Sequence, residues 1–342
     1  MTRYFTPAGK HLTLALALIA LFAGCRTAPI TGRKQVLLLP EQQEIAMGFQ
    51  AFKEVADKEP LSQNTEQVEL VNRVGRRIAD VADRPDYEWE FLLIASPEKN
   101  AFCLPGGKVA VYEGILPICE NEAGLAVVMS HEIAHALARH GGERMSHNMA
   151  VEGIRYAVDY FTKEREERQR EMIMKAYGLG ARYGVILPYS RKHESEADHM
   201  GLMLMARAGY DPGEAPRFWQ RFAQAQSAQG PPEFLSTHPS DERRTEDLLA
   251  LLPEAQRVYQ ESPVPLGTGA DLRVVSSPGA TFAPAASPVS PLTLVPRNPH
   301  EYDRSFFFSQ SHGDTATESE FRANRPTDNA LLAPHLRVSV TP

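Results

Sequence analysis

Apolar residues recur with a helical period through the first part of the chain and then change rhythm. A helical pattern begins near Pro40 with "EQQEIAMGFQAFKEVAD". A second fits "NTEQVELVNRVGRRIADVAD", where Val68, Val71, Val74, Ile78 and Val81 return at helical spacing. The segments "YEWEFLLIAS", "NAFCL" and "KVAVYEG" read instead as strands, the last two joined by the turn Pro105-Gly106-Gly107. Helical pattern then resumes. Asn121 and Glu122 suit a start and Gly141-Gly142 a stop, so "SHEIAHALARH", residues 130 to 140, is predicted to lie on one helix. Ser190 suits the cap of another running to Gly209. Asp211-Pro212-Gly213-Glu214 carries the cap, first-turn Pro and third-position Glu of a capping-box start for a third. Between the first two, "TKEREERQRE" reads as a solvated helix face. The predicted class is α+β, mainly helical with a small mixed sheet.

Both ends depart from this pattern. Arg3 and Lys10 precede the apolar run "LTLALALIALFAG", which is short for a bilayer span and reads as a signal peptide over residues 1–24. Its end, "LFAGC", resembles a bacterial lipobox with Phe22 where Leu is usual, which marks Cys25 as the lipid-attachment residue. Acylation of Cys25 with more than one chain suffices for stable anchoring. Arg26 follows, where an Asp would favour inner-membrane retention, so the expected place is the outer membrane, facing the periplasm. Residues 25–39 read as a tether and 40–260 as the folded domain. Residues 261–342 hold 11 of the 26 prolines with no lasting period, and are expected to be a disordered tail.

The formal net charge is −7 without a sustained basic block, which argues against a nucleic-acid partner. Of three cysteines, Cys103 and Cys119 remain once Cys25 is lipidated; their spacing permits a bridge in an oxidising compartment without requiring one.

One feature stands against the apolar pattern. From Ala123 to Ala138 the only polar side chains are Ser130, His131, Glu132 and His135. Residues four apart on a helix differ by about 40° around the axis, so His131 and His135 share a face one turn apart. Two neutral imidazoles so placed can grip one ion, with the Glu132 carboxylate beside it. This is the H-E-x-x-H arrangement of zinc peptidases, in which the glutamate takes a proton from the zinc-bound water. Core histidines satisfied by backbone carbonyls are the competing account. A tetrahedral catalytic site needs a third protein ligand and one open position. His140, five residues from His135, is off the shared face. "SRKHESEADHMG", residues 190 to 201, offers His193, Glu194, Glu196, Asp198 and His199 on a second helix.

These motifs, with "TGRKQVLLLPEQQEIAMG", "NAFCLPGGKVAVYEGIL", "NEAGLAVVMSHEIAHALARH", "LPYSRKHESEADHMGLMLMARAGYDP" and "STHPSDERR", resemble the gluzincin zinc metallopeptidases that include the CAAX prenyl proteases, HtpX and the Oma-type proteases, in their secreted bacterial lipoprotein branch. The resemblance spans about residues 30 to 250. It implies a zincin fold in which the H-E-x-x-H helix and a second ligand-bearing helix surround one zinc. It implies Glu194 as third ligand beside His131 and His135, Glu132 as general base, and Asp198 as the partner that hydrogen-bonds a ligand histidine. Glu196 is then expected at the surface, with His193 and His199 as solvent or packing residues. His238, in "STHPSDERR", is implied as an oxyanion stabiliser or resting-state ligand, with a capping or packing role as the alternative, and Arg243 or Arg244 as its helper. The resemblance also implies peptide alignment by strand addition along "GKVAVYEG". Cys103 stands where small apolar residues are common.

The implied function is a zinc-dependent metalloendopeptidase that cleaves unfolded or misassembled envelope proteins in quality control. Two other classes stay open: a chaperone-like envelope assembly factor with latent or weak proteolysis, and a structural lipoprotein with a saturated zinc.

Overall fold

The computed structural model describes residues 25–181, 187–225 and 244–272. Strands β1 (Cys25–Thr27) and β2 (Lys34–Val36) pair antiparallel as a hairpin. Helix α1 (Glu41–Lys58) follows Pro40, and α2 (Thr65–Asp80) is capped by Asn64, whose side chain accepts from the Gln67 amide at 3.2 Å. Strands β3 (Glu90–Ile94), β4 (Ala101–Leu104) and β5 (Lys108–Tyr112) form a sheet in the order β3-β5-β4. β5 runs parallel to β3 and antiparallel to β4. Gly106 and Gly107 make the β4–β5 turn at φ 91° and 84°, a region open to glycine without steric cost. The short helix α3 (Leu116–Cys119) leads to α4 (Glu122–Leu137), then α5 (His140–Thr162), α6 (Glu167–Ala181), α7 (Leu187–Arg207), α8 (Glu214–Gln224) and α9 (Arg244–Gln260).

Helix α4 is the centre of the core. Asn121 caps it, its side chain accepting from the Gly124 amide at 2.9 Å, and every residue from Glu122 to Leu137 except His135 is buried. Val71, Val74 and Ile78 of α2, Val109 and Val111 of β5, Met200 and Leu204 of α7, and Phe218 and Phe222 of α8 close around it. A helix surrounded in this way is apolar on all sides, which explains why its sequence lacks the usual amphipathic stripe.

At Gly201, α7 meets the α4 backbone with no side chain between them. A Cβ on Gly201 would stand 3.0 Å from the His131 nitrogen and 3.1 Å from its Cα, so glycine there lets α7 seat directly on the H-E-x-x-H turn.

Three local expectations change. "SHEIAHALARH" does not lie on one helix: Arg139 turns left-handed at φ 54°, ψ 37°, ending α4 and redirecting the chain so that His140 opens α5. Gly141 and Gly142 therefore sit in the next first turn rather than at a stop. The lack of a Cβ on Gly142 leaves room for the Glu44 carboxylate, which pairs with Arg139 at 2.7 Å. Residues 25–39 are not a loose tether, since β1 and β2 pair and Ala28 and Leu37 are buried. The folded unit also passes the expected limit at Gln260. Residues 261–272 run back as a strap: the Leu266 amide donates to Gly209 O, the Asp211 amide to Gly267 O, and the Glu122 and Ala123 amides to Ala270 and Thr268 carbonyls. The strap thus satisfies two first-turn donors of α4 that have no intrahelical partner. Residues 1–24, where the signal peptide is expected, residues 226–243, which include His238, and the residues beyond Leu272 lie outside the described residues.

Truncation after Gln260 should lower the melting temperature by on the order of 5 °C relative to truncation after Leu272, measured by circular dichroism; equal melting would show the strap to be dispensable. Gly201→Ala should cost about 1–3 kcal/mol in denaturant unfolding by prying α7 from α4; an unchanged midpoint would mean that the contact yields freely.

Candidate active site

The helical spacing of α4 places His131 and His135 side by side, their Nε2 atoms 3.1 Å apart. α7 crosses them and brings Glu194 Oε2 to 3.4 Å from His131 Nε2, and Glu194 Oε1 to 3.5 Å from His135 Nε2. These three residues form a group whose donor atoms all lie close enough for one ion. Donors about 2.0–2.2 Å from a tetrahedral zinc stand about 3.3–3.6 Å from one another. With one Glu194 oxygen turned toward each imidazole, the observed spacings leave the three residues within reach of one small ion, and two imidazoles with one carboxylate suit zinc chemically.

Electrostatics point the same way. Burial works against a charge on His131, but hydrogen bonds with Asp198 and Glu194 outweigh it and raise its pKa to about 9. The pocket holds a positive charge where the ligand face lies.

Each imidazole is gripped from behind. Asp198 Oδ1 is 3.0 Å from His131 Nδ1, and Arg244 donates from Nη2 to the same oxygen at 2.7 Å. Burial raises the Asp198 carboxyl, but the Arg244 charge and the bond with His131 prevail and hold it below the usual range. The Arg244 guanidinium lies 3.4 Å from the centroid of Trp219, whose ring also meets His131 edge-on. On the other side, His140 Nδ1 stands 2.8 Å from His135 Nδ1. His140 is off the metal-facing side, as its spacing from His135 implies, but it lies directly behind that ligand.

Glu132 is buried on α4 beside the ligand face. Burial and then the charge of Glu132 push the Cys103 thiol well above its ordinary range, so this half-buried cysteine on β4 stays neutral next to the carboxylate. Cys103 and Cys119 are both free thiols, as is exposed Cys25.

Several expectations are revised. Glu196 is buried, not at the surface: it accepts from Arg33 Nε at 2.7 Å, from Thr31, and bonds His140 Nε2 at 2.9 Å. His193 is likewise buried and bonds Glu143 at 2.9 Å, whereas His199 is partly exposed, 3.9 Å from Glu254. The strand in "GKVAVYEG" is the central one, with β3 and β4 on its two sides, so it has no edge to offer a peptide. The sheet edge beside α4 is β4, residues Ala101–Leu104. Arg244 stands at the site, while Arg243 lies outside the described residues. His238 lies outside the described residues. Sequence reading missed Arg33, Glu143, Trp219 and the pairing of His140 with Glu196. Only the density of charge within residues 190–201 hinted at it.

Comparison with known proteins agrees with this geometry. Residues 65–252 match the model described as Peptidase family M48. The mitochondrial metalloendopeptidase OMA1 of Schizosaccharomyces pombe is 37% identical over 239 residues, covering 69% of this chain and 68% of that protein. The OMA1 metalloendopeptidase of Saccharomyces cerevisiae is 31% identical over 272 residues, 72% of this chain and 76% of that one. The beta-barrel assembly-enhancing protease of Escherichia coli is 30% identical over 225 residues, 65% of this chain but 46% of the relative.

The buried charges make stability depend on acid. Burial raises Glu143 and Glu196, yet the bonds from His193 and Arg33 to the first, and from His140, Thr31 and Arg33 to the second, hold both at about 2 against an ordinary 4.5. Their contribution is present above pH 4.5 and is lost as pH falls through about 2. Burial lowers His140 to about 4, so the unfolded chain takes up that proton first and stability declines from pH 6.5 downward as well. The metal-free protein should lose melting temperature steadily from pH 6.5 to pH 2. Glu143→Gln should flatten the fall below pH 4.5; a flat wild-type profile would contradict the network.

Proposed function

This chain belongs to peptidase family M48 and is a metalloendopeptidase, and from that premise we propose that it hydrolyses peptide bonds in unfolded or misassembled cell-envelope proteins, with Glu132 as general base. The observation that carries the reading is the grouping of His131, His135 and Glu194, the two imidazole Nε2 atoms 3.1 Å apart and each 3.4–3.5 Å from one oxygen of Glu194, beside a buried glutamate.

His131, His135 and Glu194 would hold one zinc, which supplies Lewis acidity, polarising the scissile carbonyl and acidifying water at the open position. Glu132 takes the proton of the attacking water and passes it to the departing amine. Asp198, held by Arg244, keeps His131 in its ligating orientation. Cys103 stays protonated and so does not compete as a nucleophile. An extended substrate adds to the outer edge of β4, which has no strand partner among the described residues. Recognition through main-chain hydrogen bonds tolerates many sequences, so broad specificity follows. His238, just before α9, is proposed to approach the cleft as an oxyanion donor or resting-state ligand.

The envelope assignment draws on the N-terminal pattern ending at Cys25, an exposed residue at the start of β1. Attachment is assigned to lipid on Cys25 from that pattern; among the described residues no helix is long and apolar enough to cross a membrane. The Escherichia coli relative is itself named a beta-barrel assembly-enhancing protease. By analogy, substrates here are partly folded envelope proteins of the outer membrane.

Elemental analysis of the purified protein should find one zinc per chain, lost or weakened in His131→Ala and Glu194→Ala. Glu132→Gln should retain the metal while casein cleavage falls by about 10²–10⁴-fold. A folded wild type without zinc, or full cleavage by Glu132→Gln, would sink the reading; loss of cleavage with envelope function preserved would favour an assembly factor.

A further inference from the structure

Behind His135 lies a buried set of polar groups to which the hydrolytic steps assign no task. His140 faces His135 through Nδ1 at 2.8 Å and Glu196 through Nε2 at 2.9 Å. Glu196 is held in turn by Arg33 at 2.7 Å, and Arg33 also donates to both oxygens of Glu143 at 2.9 and 2.6 Å. Glu143 bonds His193, whose ring stacks on His140 with centroids 4.2 Å apart and planes 13° from parallel. His140 is thus fixed in plane and in rotation.

Donor and acceptor rules place the protons along this line. An ionised carboxylate only accepts, so the His140 nitrogen facing Glu196, Nε2, carries hydrogen. A neutral imidazole has one N–H, which leaves Nδ1 of His140 as an acceptor. The nitrogen it meets, Nδ1 of His135, must then be the donor. His135 is left with a lone pair on Nε2, the atom that faces Glu194 and His131. His131, once it gives up its second proton, is held in the same tautomer more directly, through Asp198 on its Nδ1. A doubly protonated His140 would reverse the outcome: its Nδ1–H would claim the His135 lone pair and force the His135 proton to the metal-facing side. It would also bury a second cation beside Arg33.

We propose that His140 is a positioning residue for His135, fixing its metal-ready tautomer through Glu196 and Arg33, so that the N-terminal hairpin is part of the metal site. The proposal rests on the peptidase reading in one respect, that His135 is a zinc ligand. It explains why the segment following Cys25 is folded against the domain, and why two buried carboxylates and a half-buried arginine meet there. A carboxylate orients one ligand histidine directly, and a histidine interposed before a carboxylate orients the other.

Nitrogen-15 NMR of the imidazoles in the full chain, without metal, reads the tautomer before zinc enters. The expected result is His135 protonated at Nδ1 in the wild type and predominantly at Nε2 in His140→Phe. Zinc affinity, by competition with a chromophoric chelator, should fall about 10–100-fold in His140→Phe. His140→Asn, whose carbonyl accepts from His135, should recover most of that loss, which a mere packing defect would not allow. His135 protonated at Nε2 in the metal-free wild type, or wild-type zinc affinity in His140→Phe, would overturn the proposal. The wild-type tautomer decides the matter even if His140→Phe fails to fold. A wild type with the expected tautomer that binds no zinc would instead remove the peptidase reading and leave the hydrogen-bond assignment standing.

Discussion

Two imidazoles and a carboxylate on a helix that is otherwise wholly inside the core lose the hydrogen bonds that water gave them, and their burial is tolerable only where other groups replace those bonds. That constraint organises the molecule around α4. His131 is answered by Asp198, Asp198 by Arg244, and Arg244 lies over the face of Trp219. His135 is answered by His140, then by Glu196 and Arg33. Each line begins at a ligand and ends on an element distant in sequence: one on α9, the other in the N-terminal hairpin. The ends of the chain's folded part are thereby bound to its centre.

Backbone packing sets the geometry within which these lines operate. Glycine at 201 lets α7 lie against the turn that carries His131, and the one-turn spacing of Glu194 and Asp198 then aims one carboxylate at the ligand face and the other at the back of the ring. The left-handed residue Arg139 does the corresponding work on the other side, ending α4 early enough for His140 to return behind His135. Without that break His140 would follow the helix away from the ligand. The strap through residues 266 to 272 holds the opposite end of α4, so the central helix is fixed at both termini.

The same arrangement stabilises positive charge. Asp198 and Glu194 raise the pKa of His131 to about 9, and the same field would favour a metal cation, which would compete with that proton. Catalytic and structural demands meet here, because the carboxylates that make the site attractive to a cation are the ones whose burial must be offset by Arg33 and Arg244.

Local pattern determined much of this protein. Helical spacing in α1 and α2, the turn at Pro105-Gly106-Gly107, the cap at Asn121 and the paired histidines of H-E-x-x-H are written in neighbouring residues, since each depends on interactions a few positions apart. The resemblance carried by the block around Glu194 added that residue as the implied third ligand. Tertiary structure alone decided the rest. Nothing near Arg33 marks it as paired, because its partners are Glu143 and Glu196, more than a hundred residues away. Glu196 looked like a surface residue because its neighbours on α7 suggest a solvated face, while the hairpin that covers it comes from the other end of the chain. The identity of the sheet's edge strand was equally hidden: strand order depends on which segments pair across the fold, and the apolar sequence of β5 is that of a strand covered on both sides and flanked by two neighbours. Residues separated by one turn reveal themselves in sequence; groups joined by desolvation across the core do so only when the chain has closed around them.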